Sequence, residues 1–440
     1  MRARLLLLGA ALLAFGGSLF AGFHVDDYAI FSLPLLRSLR EPHLLTNFTL
    51  WLNYRAGGQV PLGYHVVNLL LHLGAVLLAY ECLRRLLPAG AAVIAAAVFA
   101  VHPLQAEAVN YIAARSVVLA ALLCFAALLA WIEARPWLAV AAFAAALLAD
   151  EHCFALPGAF LLLGRERKLP LACMAALAVA AVAQVHLGAY GLALVSLRFL
   201  RLLVLPWGFT VDPDVHEPLW LAAAAAVAIA AAAAVWRKRS NPHSEVTWLL
   251  AGLVLLIPSL STNPAADPRM YLPMFAFAAA AGLLLARIRV REVAIGLVIV
   301  LAALSAGRTY VWMSDQRLWR EAVRRAPRKA RPKIELAKTV RAAEALDLLA
   351  QARELEPHNP EIPADIGKVL LDEQQYDGAL TELSRALSVD PRNALALNNR
   401  GVAFAALGQT EAARLDFESA LRLDPNLAEA RENLNRLAAR

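Results

Sequence analysis

Apolar residues run almost without interruption from Leu5 to Gly22, and the run stops at Phe23-His24-Val25-Asp26-Asp27-Tyr28. Roughly 20 apolar residues are needed to cross a bilayer as a helix. Further runs of that kind lie near Tyr64–Leu83, Ala89–Ala106, Ser116–Trp131, Trp137–Ala149, Cys153–Leu163, Leu171–Leu187, Leu219–Trp236, Thr247–Ser261, Tyr271–Ala286 and Val293–Trp312. Met1–Ala21 also has the outline of a secretory signal peptide, but its length and the runs behind it predict an uncleaved first span. Residues 23–63 are too polar to cross and predict an exported loop. Within it Leu44–Trp51 predicts a short interfacial helix, and Gly57-Gly58 a turn. Tyr190–Pro206 is apolar but carries Arg198 and Arg201, and reads as a second interfacial or re-entrant helix.

Past Trp312 the hydropathy collapses and a repeat begins. Pro357, Pro391 and Pro425 each follow an acid and lie 34 residues apart (391 − 357 and 425 − 391). The same offset relates Gly367 to Gly401, Ala345 to Ala379 to Ala413, and Ala352 to Ala386 to Ala420. Small residues let paired helices approach, and proline ends the second helix of each pair. This is the tetratricopeptide pattern, with a shortened first helix near Lys333–Arg341 and a capping helix after Asn426. The predicted fold is all-α. A polytopic membrane bundle of about eleven spans covers residues 1–312, and a soluble superhelix of helical repeats covers residues 313–440.

Composition agrees with this division. Hydrophobic residues make up 60% of the 440 and charged ones 18%, against about half and a quarter in soluble domains. The net charge of +7 sits largely in short loops, so it does not indicate nucleic acid. Cys82, Cys124, Cys153 and Cys173 lie in or beside apolar runs without metal-type spacing, and read as buried free thiols. Loop charge sets the orientation, because Lys and Arg collect on the cytoplasmic side. With eleven spans, Arg2/Arg4, Arg84/Arg85, Arg165/Arg167/Lys168, Arg237/Lys238/Arg239 and Arg287/Arg289/Arg291 share one face. The acids and histidines near Asp26, His102, Asp150 and Asp212 then share the other, and the repeat domain is exported.

Ionisable residues at a membrane boundary are functional-site candidates. The exported side offers Asp26 and Asp27 after the first span, and Tyr64, His65 and Asn68 at the start of the second. It also offers His102, Glu107 and Arg115 between the third and fourth, Glu151 after the fifth, and Arg269 and Tyr271 before the tenth. These residues are expected to share one boundary cavity. Carboxylates beside cations suit attack on a phosphorylated lipid: the acid takes a proton and arginine holds the phosphate. No P-loop, zinc-protease motif or nucleophile elbow occurs.

The blocks His24-Val25-Asp26-Asp27, Leu45-Thr46-Asn47, Gly63-Tyr64-His65-Val66-Val67-Asn68 and His102-Pro103-Leu104-Gln105-Ala106-Glu107 have a specific order. With Leu205-Pro206-Trp207-Gly208-Phe209 and Arg269-Met270-Tyr271-Leu272-Pro273, the chain resembles bacterial relatives of the transmembrane and tetratricopeptide-repeat O-mannosyltransferases. The resemblance implies a GT-C type membrane glycosyltransferase with a polyprenyl-phosphate-linked sugar as donor and extracytoplasmic hydroxyls as acceptors. It makes Asp26 or Asp27 the base. It implies no fixed metal ligands and leaves a divalent ion open. Its partners would be membrane lipid, the lipid-linked sugar and a protein or peptide met by the repeats, in a bacterial cytoplasmic membrane. The chain departs from such relatives at His43-Leu44, at Ala114-Arg115-Ser116-Val117, at Asp150-Glu151 and at Asp267-Pro268-Arg269, with at least two donor-binding cations missing. The competing expectation is a membrane-anchored repeat scaffold without catalysis. A transporter ranks below both, because the deep spans are mostly Ala, Leu and Val.

Overall fold

A computed structural model describes residues 1–24, 27, 43–162, 168–182, 192–212, 244–260, 267–288 and 291–438. Asp26 and the predicted span Leu219–Trp236 lie outside the described residues. The described chain is helical throughout and divides into two compact units, Met1–Ser314 and Asp315–Arg440.

In the first unit the helices are α1 (Arg2–Phe15), α2 (Leu44–Gly57), α3 (Pro61–Leu86), α4 (Ala89–Val101), α5 (Ala106–Asn110) and α6 (Arg115–Ile132). They continue as α7 (Pro136–Ala149), α8 (Leu156–Leu162), α9 (Lys168–Val182), α10 (Leu192–Val204), α11 (Glu245–Leu256), α12 (Tyr271–Ile288) and α13 (Arg291–Trp312). Among the described residues five segments are long and apolar enough to cross a bilayer, and the pair Ala89–Val101 with Pro103–Asn110 makes a sixth if taken as one bent span. Four shorter apolar helices accompany them. The protein is therefore a multi-pass membrane protein.

The third predicted span is not straight. It bends by 46° at His102-Pro103. Pro103 has no N–H to continue the ladder, and the His102 ring instead accepts the Leu104 N–H at 3.2 Å. That bend turns α5 back into the bundle, where Ala106 to Asn110 are all buried.

Small residues set how closely the helices pack. A Cβ on Gly282 of α12 would lie 2.5 Å from the Ala91 carbonyl oxygen and 2.7 Å from the Ala95 Cβ of α4, so these two helices touch almost backbone to backbone. Aromatic edges fill the layer beside them, with Phe99 and Tyr271 centroids 5.4 Å apart and Phe125 and Phe275 4.8 Å apart. At one end of α3, Glu81 gathers Arg4, Arg84 and Arg85 at 2.5–2.7 Å. Three of the basic residues expected on one face, Arg4, Arg84 and Arg85, thus share a single carboxylate.

The second unit runs α14 (Asp315–Arg325), α15 (Ala330–Ala337), α16 (Ala342–Leu355), α17 (Glu361–Asp372), α18 (Tyr376–Val389), α19 (Ala394–Ala406), α20 (Thr410–Leu423) and α21 (Ala428–Ala438). The 34-residue glycines lie where helix pairs cross. A Cβ on Gly367 would fall 2.5 Å from Leu383, and one on Gly401 2.6 Å from Phe417. Asp416 is buried under a two-pronged bond from Arg400 at 2.7 and 2.8 Å, which ties α19 to α20.

Candidate functional site

The site begins at the mouth of the first span. Asp27 is fully buried. One of its carboxylate oxygens accepts the His24 N–H at 2.9 Å, and the other accepts the Ala113 N–H at 2.8 Å. Its own N–H donates to the His24 carbonyl at 2.8 Å. Asp27 therefore closes a turn on itself and pins that turn to the segment leading into α6.

Two residues further along that segment is Arg115, also fully buried. Its Nε donates to Asn68 Oδ1 at 2.7 Å, one Nη to Asn53 Oδ1 at 2.6 Å, and the other to the Tyr64 carbonyl at 3.1 Å. Thr49 stands 3.5 Å from the same Nη as Asn53. The guanidinium also sits 5.8 Å from the Tyr64 ring centre, and the charge of Asp27 acts on it. Arg115 thus knots α2, α3 and α6 together through neutral acceptors. The Tyr64 hydroxyl donates to the Gly58 carbonyl at 2.9 Å, and the His65 Nε2 lies 3.1 Å from the Gly22 carbonyl.

Ser116, the next residue, reaches a second cluster. Its hydroxyl donates to Asp150 Oδ2 at 2.9 Å, while Asp150 Oδ1 takes the His152 N–H at 2.9 Å and faces the His152 Nδ1 at 2.8 Å. Burial opposes ionisation of Asp150, but the His152 hydrogen bonds and the charges of His43 and His152 win. Its carboxyl is held well below the usual carboxylate range. Arg269 lies in the field of Asp150 and Glu151, and with Asp150, His152 and Pro273 it lines a small cavity of about 30 Å³.

His43, Asp150 and Glu151 place one potential metal-ligand atom each within 4.8 Å of one another. Two of the three also meet protein groups at hydrogen-bond distance. The His43 Nδ1 is 3.0 Å from the Ala149 carbonyl and 3.8 Å from Glu151, and Asp150 is bonded to Ser116 and His152. His43 and Asp150 thus bond to protein groups, while Glu151 stands 3.8 Å from the rings of His43 and His152.

The remaining candidates are placed as follows. His102 Nε2 lies 3.3 Å from the Leu203 carbonyl of α10, so the expected interfacial helix docks on the bend of the third span. Glu107 is buried on α5. Tyr271 is deep: its hydroxyl meets His72 Nδ1 at 2.6 Å, and the other His72 nitrogen lies 3.1 Å from the Ala100 carbonyl. That pair is inside the bundle, away from the mouth. Among the described residues, Asp27, His65 and His102 do not line the cavity beside Arg269. Separate buried polar contacts made along residues 113–116 link Asp27 to Ala113, Arg115 to Asn68 and Asn53, and Ser116 to Asp150.

Several residues that make such contacts were not singled out by sequence reasoning. Asn53, Thr49 and Ser116 look like ordinary polar residues beside apolar runs. Asn110 donates to Thr309 Oγ1 at 3.2 Å, and Thr309 donates to the Ala14 carbonyl at 3.1 Å, joining α5 to α13 and α1. Trp312 stacks on Tyr111 at 5.6 Å and meets the His24 ring edge-on at 5.8 Å. Lone polar residues in apolar runs are the available signal, since each is costly unless bonded.

Known proteins share parts of this chain. A tetratricopeptide-repeat family model matches residues 364–428. Protein O-mannosyl-transferase Tmtc1 of Drosophila melanogaster is 48% identical over 85 residues, covering 19% of this chain and 10% of that protein. Over that stretch this chain is similar to a protein O-mannosyl-transferase. Protein O-mannosyl-transferase F38B6.6 of Caenorhabditis elegans is 38% identical over 95 residues, 21% of this chain and 14% of that protein. Among solved structures, the first tetratricopeptide domain of Spaghetti (RPAP3), bound to an HSP90 peptide, is 26% identical. It covers 25% of this chain and 91% of that domain, with a TM-score of 0.25. The match to these O-mannosyl-transferase relatives spans only 10–14% of their length.

Proposed function

We propose that this chain is a GT-C type membrane glycosyltransferase that moves a mannose-like sugar from a polyprenyl-phosphate donor to an extracytoplasmic protein or glycan hydroxyl. The observation that carries this reading is the set of buried polar groups gathered along residues 113–116: Asp27 on the Ala113 N–H, Arg115 on Asn68 and Asn53, and Ser116 on Asp150, whose charge also acts on Arg269. A membrane bundle tolerates buried charge only where it is paired or used, and similarity to O-mannosyl-transferases supplies the chemistry it would serve.

Both oxygens of Asp27 are spent on backbone N–H groups, so the base is Asp26. Its carboxylate takes the proton from the acceptor hydroxyl as that oxygen attacks the anomeric carbon from the face opposite the phosphate. The bond from that carbon to the phosphate oxygen breaks with inversion, and polyprenyl phosphate leaves. Arg269, partly exposed beside the Asp150 cavity, offers the phosphate a charge-assisted contact. Arg115, fully enclosed, is a positioning residue that holds α2 and α3 around the mouth. The repeat unit lies outside the cytoplasm of a bacterial cell and meets peptide acceptors or partners.

The test is transfer of labelled mannose from polyprenyl-phosphate mannose to a periplasmic protein fraction by the full chain in proteoliposomes. Wild type is expected to transfer label, and Asp26→Asn to lose on the order of 10²–10⁴-fold, the share a general base supplies. Wild-type transfer by Asp26→Asn removes that carboxylate from the mechanism. No transfer by wild type across a panel of polyprenyl-phosphate sugars favours the scaffold instead.

A further inference from the structure

The 34-residue register has one exception with a structural consequence. Lys333 stands 34 residues before Gly367 and 68 before Gly401, at the crossing where the later repeats need no side chain at all. It is buried, and its ammonium donates to the Pro327 carbonyl. Burial pushes that ammonium below the usual lysine range. In the next repeat Leu383 sits directly over Gly367. Its counterpart Leu349 (383 − 34) faces a lysine-bearing helix instead, and α15 has 8 residues where α17 has 12 and α19 has 13.

Beside this crossing, between α16, α17 and the turn that joins α15 to α16, lies a cavity of about 260 Å³. Val340, Leu349 and Val369 give it apolar walls, and charged groups surround it. Lys338 is already engaged by Glu361 at 2.8 Å, Glu335 at 3.2 Å and Asp365 at 3.9 Å. Asp365 keeps one buried carboxylate oxygen with no hydrogen-bond partner. Asp372 and Glu373 add two more acids, and Lys368 one more base. The lining carries three acids, Asp365, Asp372 and Glu373, against Lys338 and Lys368, and Glu335 and Glu361 hold the Lys338 ammonium beside it.

We propose that this cavity receives one basic side chain, arginine or lysine, from an extended segment of a protein partner. Three features decide the occupant. The volume is below the roughly 300 Å³ at which small-molecule pockets begin, so it suits one side chain rather than a folded ligand. Apolar walls under a charged rim match an aliphatic stem with a cationic head. Asp365 Oδ2, 3.9 Å from the Lys338 ammonium, takes no hydrogen bond, and an incoming guanidinium or ammonium supplies a closer donor. An acidic side chain would meet the excess of carboxylates and be repelled. The inference concerns binding alone and does not depend on sugar transfer.

Asp365 also makes the site sensitive to pH. Burial, and then the neighbouring Glu361 and Glu335, raise its carboxyl to about 6 against the opposing pull of Lys338 and Lys368. It is therefore neutral below that value and charged above it.

The experiment uses the full chain in detergent and fluorescent pentapeptide pools with randomised flanks around a central arginine, citrulline or glutamate. The arginine pool is expected to bind at least ten-fold tighter than the citrulline pool at pH 7.5, and several-fold weaker at pH 5. Asp365→Asn should abolish the preference. Lys368→Ala, which removes a competing exposed cation, should tighten arginine binding several-fold, a gain that misfolding cannot produce. Equal binding of the arginine and citrulline pools, a preference for glutamate, or no binding of any pool overturns the proposal.

Discussion

Asp27 gives the sharpest test of how the mouth of the bundle is built. Replacing it by asparagine preserves shape but leaves one acceptor oxygen where two backbone N–H groups need two. One of the pair, His24 N–H at 2.9 Å or Ala113 N–H at 2.8 Å, must then face an amide NH₂. A hydrogen bond to a charged acceptor is worth about 1.5–3 kcal/mol, and a stranded buried donor costs about 1–3 kcal/mol more. Neutralising a buried carboxylate returns part of this, so a net loss of about 2–4 kcal/mol is expected. At about 2 °C per kcal/mol for a large unit, the midpoint should fall by about 4–8 °C. Melting of the detergent-solubilised protein measures it. Trp312, packed on the His24 ring and on Tyr111, should report the loosening as a change in tryptophan emission. Asp26→Asn should melt like wild type. If Asp27→Asn kept both the wild-type midpoint and the wild-type emission yet lost transfer, Asp27 would be a chemical group and the base assignment would reverse.

Other outcomes follow from single sites. Arg115→Lys replaces a planar fork by one point donor and should cost about 3 kcal/mol or more, because Asn68, Asn53 and the Tyr64 carbonyl cannot all be reached; an unchanged melting midpoint would refute the knot. Gly401→Ala should destabilise the repeat unit by about 1–2 kcal/mol, overpacking against Phe417 outweighing the gain in helix propensity, as read by circular dichroism melts. Asp365 holds its proton more tightly folded than unfolded, with a carboxyl at about 6 against 3.8, so its contribution to stability falls as pH rises through that window. Asp365→Asn should therefore stabilise the repeat unit by about 1–2 kcal/mol at pH 7.5, allowing for partial solvent screening, with no gain at pH 4; equal gains at both pH values would exclude the titration. A reporter fused after Arg440 should be active only outside the cytoplasm, and cytoplasmic activity would refute the exported repeat unit.

The sequence by itself determined what depends on period and spacing. Apolar runs near twenty residues can satisfy their backbone only as helices, so the membrane unit was readable without any contact being known. The offset of 34 located the glycines that the structure shows at helix crossings, Gly367 under Leu383 and Gly401 under Phe417. It also located the shortened first helix, now seen as Ala330–Ala337. What only the tertiary structure decided is how each polar side chain is spent. Asp27 and Arg115 looked like free chemistry at a membrane boundary, and folding commits both to neighbours 86 and 47–66 residues away in the chain. The same holds for Ser116 on Asp150 and for Tyr271 on His72. The reason is physical. A hydrogen bond needs its partners within about 3 Å and in line, and a one-dimensional pattern carries no information about which distant carbonyl or carboxylate the packing of helices brings to that distance.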